Sequence, residues 1–326
     1  MPATRSGQSS LRPSGAQPKR DTPLVIVDGH NLLWRASYGF PARIKTRSGV
    51  DRTGVFGFFA LLRAGLRGVG PAPECIVCFD GEFGAGDRQA VDPTYKENRQ
   101  SVDMTPIESL PDVLAGLDLI SVRWFYRDDL EADDVVATVV ANEADRRTFI
   151  MSTDRDFYQL VGESVLILNT RLRSDRRIVG PQEIIDRYGV EPAQWCDYRA
   201  LTGDASDNIR GVRGVGPITA KRLLWGGIRL EDIAPLGRLT GKIGQKIRDR
   251  ETWNQLMKDR LLILLCRVMS HPVRREGKSL DNLEEEFLQD CPSKSGDAFS
   301  SLRGGNPARG QAKGLSETAG AVDALG

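Results

Sequence analysis

The sequence predicts an α/β protein with a mostly parallel sheet, flanked by helices and followed by a helical subdomain. Short apolar runs that are typical of buried strands lie at Leu24–Val27, Cys75–Phe79, Thr148–Met151 and Val165–Leu168. Patterns of helical period separate these runs, for example at Gly54–Gly68 and Glu131–Glu143. Strands that alternate with helices indicate a parallel sheet with helices on its faces.

Beyond about Gly180 the strand-like runs stop, and the predicted helices are Pro181–Tyr188, Pro192–Leu201, Pro217–Leu224 and Glu251–Cys266. Residues 1–22 and 292–326 are rich in small and polar residues, and we expect both tails to be disordered. The predicted division is therefore an α/β domain at 23–180 and a helical subdomain at 181–291 between two tails.

The bulk composition excludes several classes of protein. The chain has 326 residues and a net charge of +1, and it has no apolar run of the roughly 18 residues that a membrane span needs. The first residues lack the apolar core of a secretory signal. We therefore expect a cytoplasmic protein without a membrane partner, and a monomer.

Cysteine spacing raises the question of a zinc or redox site. Cys75 and Cys78 form a C-x-x-C pair, but they lie in an apolar run where two residues three apart face opposite sides of a strand. The chain has only two histidines, so no second ligand pair completes a zinc site. The sequence favours buried, reduced thiols.

Acidic residues follow three of the predicted strands. Asp28, Asp80 and Asp154 lie at or just past the ends of apolar runs, and such ends meet along one edge of a parallel sheet. A fourth motif, Glu131-Ala132-Asp133-Asp134, opens a helix, and Asp156 follows Asp154. Each acid alone could be a turn former or a helix cap. Together they would repel one another unless cations neutralise them.

Oxygen ligands without histidine or thiolate select Mg²⁺ or Mn²⁺. A carboxylate-rich site that holds two such ions about 3.5–4 Å apart drives phosphodiester hydrolysis. The sequence therefore predicts a site for two divalent ions at the edge of the sheet.

The glycine-rich segment Leu201–Lys221 is the most specific feature of the sequence. Gly211, Gly214 and Gly216 predict a tight hairpin, and Pro217 suits the first turn of the helix that follows. Exposed backbone N–H groups at such a hairpin bind phosphate without reading bases. A plain helical hairpin would explain the glycines but not the additional acids Asp204 and Asp207.

These motifs resemble the 5′ nuclease family (flap endonuclease, 5′–3′ exonuclease), which occurs as the N-terminal domain of bacterial DNA polymerase I and as free phage enzymes. The matching segments occur in the family's order: Val27-Asp28-Gly29-His30-Asn31-Leu32 with Arg35, Phe79-Asp80, Tyr95-Lys96-Glu97-Asn98-Arg99, Glu131-Ala132-Asp133-Asp134, Thr153-Asp154-Arg155-Asp156-Phe157-Tyr158-Gln159-Leu160, and Gly203-Asp204-Ala205-Ser206-Asp207-Asn208 with the glycine hairpin.

The resemblance implies a PIN-like catalytic sheet and a helix–three-turn–helix (helix-hairpin-helix) motif at about 201–226. It implies a first metal held by Asp28, Asp80, Glu131, Asp133 and Asp134, and a second held by Asp154, Asp156, Asp204 and Asp207. Lys96 and Arg35 would neutralise the scissile phosphate. The implied DNA contacts are Tyr95, which could stack on an unpaired base, and Arg99, Gly211, Arg213, Gly214, Gly216, Thr219 and Lys221.

Two hairpin positions depart from the family pattern. Arg213 lies where family members commonly have proline, and Ile218 lies where they commonly have lysine. The segment from about Glu82 to Glu108 would form the family's helical arch, and it is short and contains two glycines and two prolines.

The resemblance implies a structure-selective hydrolase that cuts DNA at 5′ flaps, nicks and free 5′ ends in replication or repair, with RNA primers on DNA as a further substrate. Two alternatives stay open from the residues alone. One is a PIN-class metal-dependent ribonuclease, which would not need the glycine hairpin. The other is a catalytically dead protein that binds branched DNA, which would not need the full set of carboxylates.

Overall fold

A central sheet organises the chain in the computed structural model, which describes residues 22–99, 105–143 and 146–265. In these residues the sheet has the strand order β3-β2-β1-β4-β5-β6. All neighbouring strands in it are parallel except β5 and β6, which are antiparallel. The strands are β1 (Leu24–Asp28), β2 (Glu74–Cys78), β3 (Arg123–Phe125), β4 (Thr148–Met151), β5 (Val165–Leu168) and β6 (Ile178–Val179).

Helices cover both faces of the sheet, and further helices follow β6. They are α1 (Gly29–Gly39), α2 (Thr53–Arg67), α3 (Gly86–Val91), α4 (Leu110–Leu119), α5 (Ala132–Asn142), α6 (Pro181–Tyr188), α7 (Trp195–Thr202), α8 (Pro217–Leu223), α9 (Gly241–Arg248) and α10 (Arg250–Ile263). None of the helices in the described part of the chain is long and apolar enough to cross a membrane.

Alternate side chains of β1 point to opposite faces of the sheet, and each face packs against a different set of helices. Val25 and Val27 pack with residues of α1, α2 and α4, such as Phe58. Leu24 and Ile26 pack on the opposite face with α5 and the helices after β6. Because both faces are covered, every residue of β1 is buried, and this explains why the strand reads as a continuous apolar run.

The predicted α/β class with a mostly parallel sheet is confirmed, and the four apolar runs are strands β1, β2, β4 and β5. Cys75 and Cys78 pack into the two different core clusters, on opposite faces of β2. The predicted helix Pro192–Leu201 is in fact a 3₁₀ turn at Pro192–Gln194 followed by α7. The predicted tails, apart from Thr22, and Cys266 lie outside the described residues.

A tight loop between α7 and α8 brings the chain back on itself. Asp204 pairs with Ile209 in an isolated antiparallel bridge, and the backbone amide of Val212 donates to the carbonyl of Leu201 at 3.0 Å. Gly203 and Gly211 both have positive φ, of 82° and 64°. A Cβ on Gly211 would lie 2.4 Å from the backbone nitrogen of Gly203. The loop therefore closes only with glycine at this position.

This contact predicts a local stability loss. We expect Gly211→Ala to lower the free energy of unfolding by about 1–3 kcal/mol, because the new Cβ meets backbone and the φ is left-handed. Gly162→Ala is the matched control, since a Cβ there would meet open space. Chemical denaturation of both variants measures the difference, and an equal effect of the two substitutions would contradict the account.

Candidate functional site

The carboxyl ends of three adjacent strands carry the predicted acids. Asp28 ends β1, Asp80 follows β2 by two residues, and Asp154 follows β4 by three. Because β1 lies between β2 and β4 in the sheet, these acids lie along one edge, as the strand pattern predicts. We call this edge, with the start of α5, the acidic edge.

Local hydrogen bonds fix the first of these side chains. One oxygen of Asp28 caps α1 by accepting from the Asn31 amide at 3.1 Å, and the other accepts from the Ser152 hydroxyl at 2.8 Å. Asp80 accepts from the Ala132 amide at 2.7 Å and so ties the end of β2 to the start of α5. Asp28 therefore has the helix-cap role that an acid at a strand end could play alone, and it also lies near Asp80 and Asp154.

The pKa shifts of three acids indicate that they lie near other carboxylates of the edge. Burial and the charge of Asp80 raise the pKa of Asp28 to about 7. Burial, with the charges of Asp154 and Asp28, raises the pKa of Asp133 well above its ordinary value. Burial, with the charges of Asp154 and then Asp207, raises the pKa of Asp156 to about 7. Asp154 is thus at the centre of the group.

The loop after α7 adds two acids to the same region. Asp204 and Asp207 are both buried, although they lie far from the sheet acids in the sequence. Asp204 forms an ion pair with Arg199 of α7, and Asp207 pairs with Arg99 at 2.5 Å. The charge of Asp207 reaches Asp156, so this loop completes the acidic edge from the side of the helical subdomain.

Basic side chains hold many of these carboxylates. Arg88 pairs with Glu131 and Asp134, each at 2.7 Å, and Lys96 pairs with the other oxygen of Glu131. Together with Arg99 and Arg199, they offset part of the negative charge. Sequence reasoning missed Arg88 and Arg199. Arg199 lies one helical turn before the Gly203-Asp204 motif, and that spacing was a usable signal, whereas Arg88 lies in a segment without a clear pattern.

Lys96 lies at the acidic edge in a constrained backbone conformation. Its φ is 55°, and its amide donates to the carbonyl of Asp207 at 3.1 Å. Burial lowers the pKa of this amine, but the charge of Glu131 together with those of Asp207 and Asp133 outweighs that effect, and the pKa is raised well above its ordinary value. Lys96 is therefore a fixed cation beside the carboxylates.

The structure corrects the expected stacking role of Tyr95. The residue is 3% exposed, and its hydroxyl lies 3.2 Å from Glu131 and 3.4 Å from Asp207. A base cannot stack on a ring that is packed in the core, so we assign Tyr95 to holding these carboxylates in place. The motif predicted its position but not its burial.

Arg35 lies in a basic cluster beside the sheet. Its guanidinium donates to the Thr170 hydroxyl at 2.7 Å. Burial and the nearby charges of Arg171 and Arg177 lower its pKa. A phosphate that reaches this cluster would meet several positive charges, and the role predicted for Arg35 at the scissile phosphate stays a prediction.

The carboxylate oxygens of the acidic edge are the type of donor that divalent metal ions prefer, but the side chains are not spaced as a complete set of ligands. Among the described residues, no three His, Cys, Asp or Glu side chains lie close enough together to hold an ion as they are placed. One oxygen of Asp156 is nevertheless buried without a hydrogen-bond partner, and the nearest cation, Arg199, lies at 3.7 Å. An orphaned oxygen among all-oxygen donors suits Mg²⁺ or Mn²⁺.

The glycine hairpin presents its backbone to solvent. Val212 and Val215 are buried and anchor it, while Arg213, Gly214 and Gly216 are exposed between and beside them. Lys246 of α9 donates to the carbonyl of Arg213 at 3.2 Å. The hairpin runs directly into α8, which carries Thr219, half-buried, and Lys221, exposed.

Ile218, one of the two departures from the family pattern, is 87% exposed. Its side chain therefore does not pack in the helical subdomain. It lies on the surface in the first turn of α8, together with Lys221 and Arg222 around a cavity of about 550 Å³.

Two family models match the chain over most of its length. The 5′-3′ exonuclease, N-terminal resolvase-like domain matches residues 23–189, and the 5′-3′ exonuclease, C-terminal SAM fold matches residues 190–282. The parallel sheet with its acidic edge and the helices after it are the parts that these two models describe. The chain belongs to the 5′–3′ exonuclease family.

Curated relatives are bacterial DNA polymerases I. The chain is 37% identical to that of Thermus filiformis over 216 residues, which is 65% of this chain and 24% of the relative. It is 34% identical to that of Deinococcus radiodurans over 232 residues, 68% of this chain and 23% of the relative. The match thus spans about a quarter of the length of these polymerases.

Solved structures share the fold. The bacteriophage T5 flap endonuclease in a complex with DNA and metal ions has a TM-score of 0.59 and 22% identity, covering 82% of this chain and 98% of that one. The T5 protein co-crystallised with metal ions has a TM-score of 0.58 at 22% identity, covering 74% and 88%.

The buried charge of Asp156 predicts a conflict between stability and metal binding. A carboxyl whose pKa is raised on folding costs stability above its unfolded pKa of about 3.9, and the cost is complete above about pH 7. We therefore expect Asp156→Asn to raise the melting temperature in EDTA at pH 8, with a gain that shrinks toward pH 4. Calorimetric scans across this range measure it.

The same substitution should weaken Mn²⁺ binding, because it removes a negative oxygen ligand. Asp175→Asn, at an exposed position, is the control and should change neither property. A lower melting temperature for Asp156→Asn at pH 8 would mean that its ion pair with Arg199 outweighs the burial cost.

Proposed function

We propose that this chain is a divalent-metal-dependent 5′ nuclease that hydrolyses DNA phosphodiester bonds at 5′ flaps, nicks and free 5′ ends. The observation that carries the proposal is the convergence of carboxylates, most of them buried, from the strand ends, α5 and the loop after α7 at one edge. Such a concentration of negative charge is destabilising, and clusters of this kind are typical of functional sites. Here we infer a cation site for phosphodiester hydrolysis.

The residues divide between two predicted metals. Asp28, Asp80, Glu131 and Asp133 would hold the first, and Asp154, Asp156, Asp204 and Asp207 the second. Bound divalent ions supply an activated water and stabilise the leaving oxygen. Asp134 was also predicted as a ligand of the first metal, and both of its carboxylate oxygens accept hydrogen bonds from Arg88.

The chain's own cations would position the substrate. Lys96 has a fixed amine beside Glu131, so a scissile phosphate at the acidic edge would gain its positive charge. The hairpin N–H groups around Gly214 and Gly216, with Arg213 and Lys221, would grip the duplex backbone without reading bases. RNA primers on DNA are a further candidate substrate, and we propose that the enzyme acts as a monomer in the cytoplasm during replication or repair.

Digestion of end-labelled substrates tests the function. We expect cleavage of 5′-flap and nicked DNA with Mg²⁺ or Mn²⁺ and none with EDTA, since the carboxylates act through the ions. We expect Asp133→Asn to lower the single-turnover rate by roughly a thousandfold or more, on the scale of losing a central catalytic group.

Asp129→Asn is the matched control, because Asp129 is exposed and lies only a few residues before α5. A labelled RNA of the same structure distinguishes the ribonuclease alternative. Preferred cleavage of RNA would replace the proposal with that alternative, and flap binding without any metal-dependent cleavage would identify a branch-binding protein.

The exposure of Ile218 generates a second prediction for the hairpin. Restoring the family's residue with Ile218→Lys should tighten binding to duplex-containing DNA by about 1 kcal/mol or less, since an exposed charge gains little in water. The salt dependence of binding should rise by roughly one phosphate contact. Titration of a labelled duplex at several salt concentrations measures both.

Leu119→Lys provides the matched control, because Leu119 is 86% exposed on α4, outside the hairpin. It adds the same charge to the protein without placing it near the hairpin. Equal gains from the two variants would show that overall charge, and not the position of the hairpin, sets the affinity.

A further inference from the structure

Arg88 is a buried cation that the proposed chemistry does not use. It lies in α3, within the segment predicted to form the arch, and only 9% of it is exposed. An arginine is rarely buried unless its charge and all its N–H groups are satisfied. The contacts of Arg88 therefore indicate what it does.

All five N–H donors of Arg88 have an acceptor. Nε donates to the carbonyl of Leu262 at 2.9 Å, and Nη2 donates to the carbonyl of Leu264 at 3.4 Å and to Oδ1 of Asp134 at 2.9 Å. Nη1 donates to Oδ2 of Asp134 and to Oε2 of Glu131, both at 2.7 Å. Since a guanidinium has five donors, the group is fully used.

Both carboxylate oxygens of Asp134 take part in the contact with Arg88. Both of its oxygens accept from Arg88 in the bidentate geometry that favours an arginine–carboxylate pair, and the residue is 2% exposed. Asp133 is the neighbouring residue, and adjacent helical positions point about 100° apart. Asp133 is coupled by charge to Asp28 and Asp154, whereas Asp134 is directed toward α3 and the end of α10.

We propose that Asp134 is the ion-pair partner of Arg88 rather than a metal ligand, and that Arg88 is a positioning residue for the ligand-bearing start of α5. This inference rests on the proposed metal site at the acidic edge. The pair holds the first turn of α5, so that Asp133 faces the other acids while Glu131 remains between Arg88 and Lys96.

The same guanidinium joins three parts of the chain. It connects α3 of the arch segment, the first turn of α5, and the carbonyls at the carboxyl end of α10. The position of the predicted metal ligands on α5 thus depends on how α10 packs against Arg88. Partners of this kind, one step away from a metal, commonly change metal affinity by about 10- to 100-fold when they are removed.

Manganese binding to the DNA-free protein tests the assignment, with free Mn²⁺ measured by electron paramagnetic resonance and folding followed by thermal melts. The variants are Arg88→Met, Arg88→Met combined with Asp134→Leu, and Arg88→Lys. We expect Arg88→Met to lower the melting temperature and to weaken Mn²⁺ binding about tenfold, because it removes the guanidinium that pairs with the buried charge of Asp134.

The direction in which Asp134→Leu changes the Mn²⁺ affinity of the Arg88→Met variant decides between the two roles of Asp134. If Asp134 is the partner of Arg88, adding Asp134→Leu removes the buried carboxylate charge that Arg88 no longer neutralises. The double variant then recovers part of both the melting temperature and the Mn²⁺ affinity. If Asp134 is a metal ligand, the double variant binds Mn²⁺ more weakly than Arg88→Met alone, and the proposal is overturned.

Arg88→Lys covers the case in which Arg88→Met does not fold. It keeps the charge but loses the bidentate geometry. We expect it to weaken Mn²⁺ binding several-fold, whereas a ligand role for Asp134 would leave the affinity unchanged or raise it. Asp133→Asn separates this inference from the proposed function, because unaltered Mn²⁺ binding in that variant would remove the metal site itself.

Discussion

Mutual repulsion among buried carboxylates is the constraint around which the rest of the structure is arranged. Burial and neighbouring charge raise the pKa values of Asp28 and Asp156 to about 7, so each acid is costly to ionise there. The chain offsets part of this cost with cations that pair with neighbouring acids of the same edge, chiefly Glu131, Asp134, Asp204 and Asp207. The cations are Arg88, Lys96, Arg99 and Arg199. A buried charge left without its partner is strongly destabilising, so these pairs fix the elements that carry them.

The pairs, with nearby hydrogen bonds, explain how residues 94–99 are placed. Arg99 binds Asp207, and the side chain of Asn98 donates to the carbonyl of Ala205 at 3.0 Å. From the opposite side, the side chain of Asn208 donates to the carbonyl of Thr94 at 2.8 Å. Lys96 and Asn208 both adopt a positive φ in this contact, a conformation that residues other than glycine hold only when their surroundings require it. Charge compensation thus brings the predicted base of the arch onto the loop of the second predicted metal.

The parts of the fold that the sequence predicts are those set by local pattern. Strands β1, β2, β4 and β5 are buried on both faces and read as apolar runs, whereas β3 and β6 are short edge strands without such a run. The acids at the edge are predictable because strand ends in a parallel sheet converge. The roles of Arg88 and Tyr95 are not, because they depend on burial and on partners distant in the chain, such as the carbonyl of Leu262.

The short connection between the acidic edge and the hairpin has a consequence for substrate choice. Gly214 lies seven positions after Asp207, and a fully extended chain over that interval spans at most about 25 Å. The connection is held at both ends, by the pairing of Asp207 with Arg99 and by the buried side chains of Val212 and Val215. A duplex gripped through its phosphates at the hairpin would therefore place its backbone at a set distance from the acids. If the proposed grip holds, this spacing would set the distance from a duplex to the strand that is cut, and the protein would select the structure of a nucleic acid instead of its sequence.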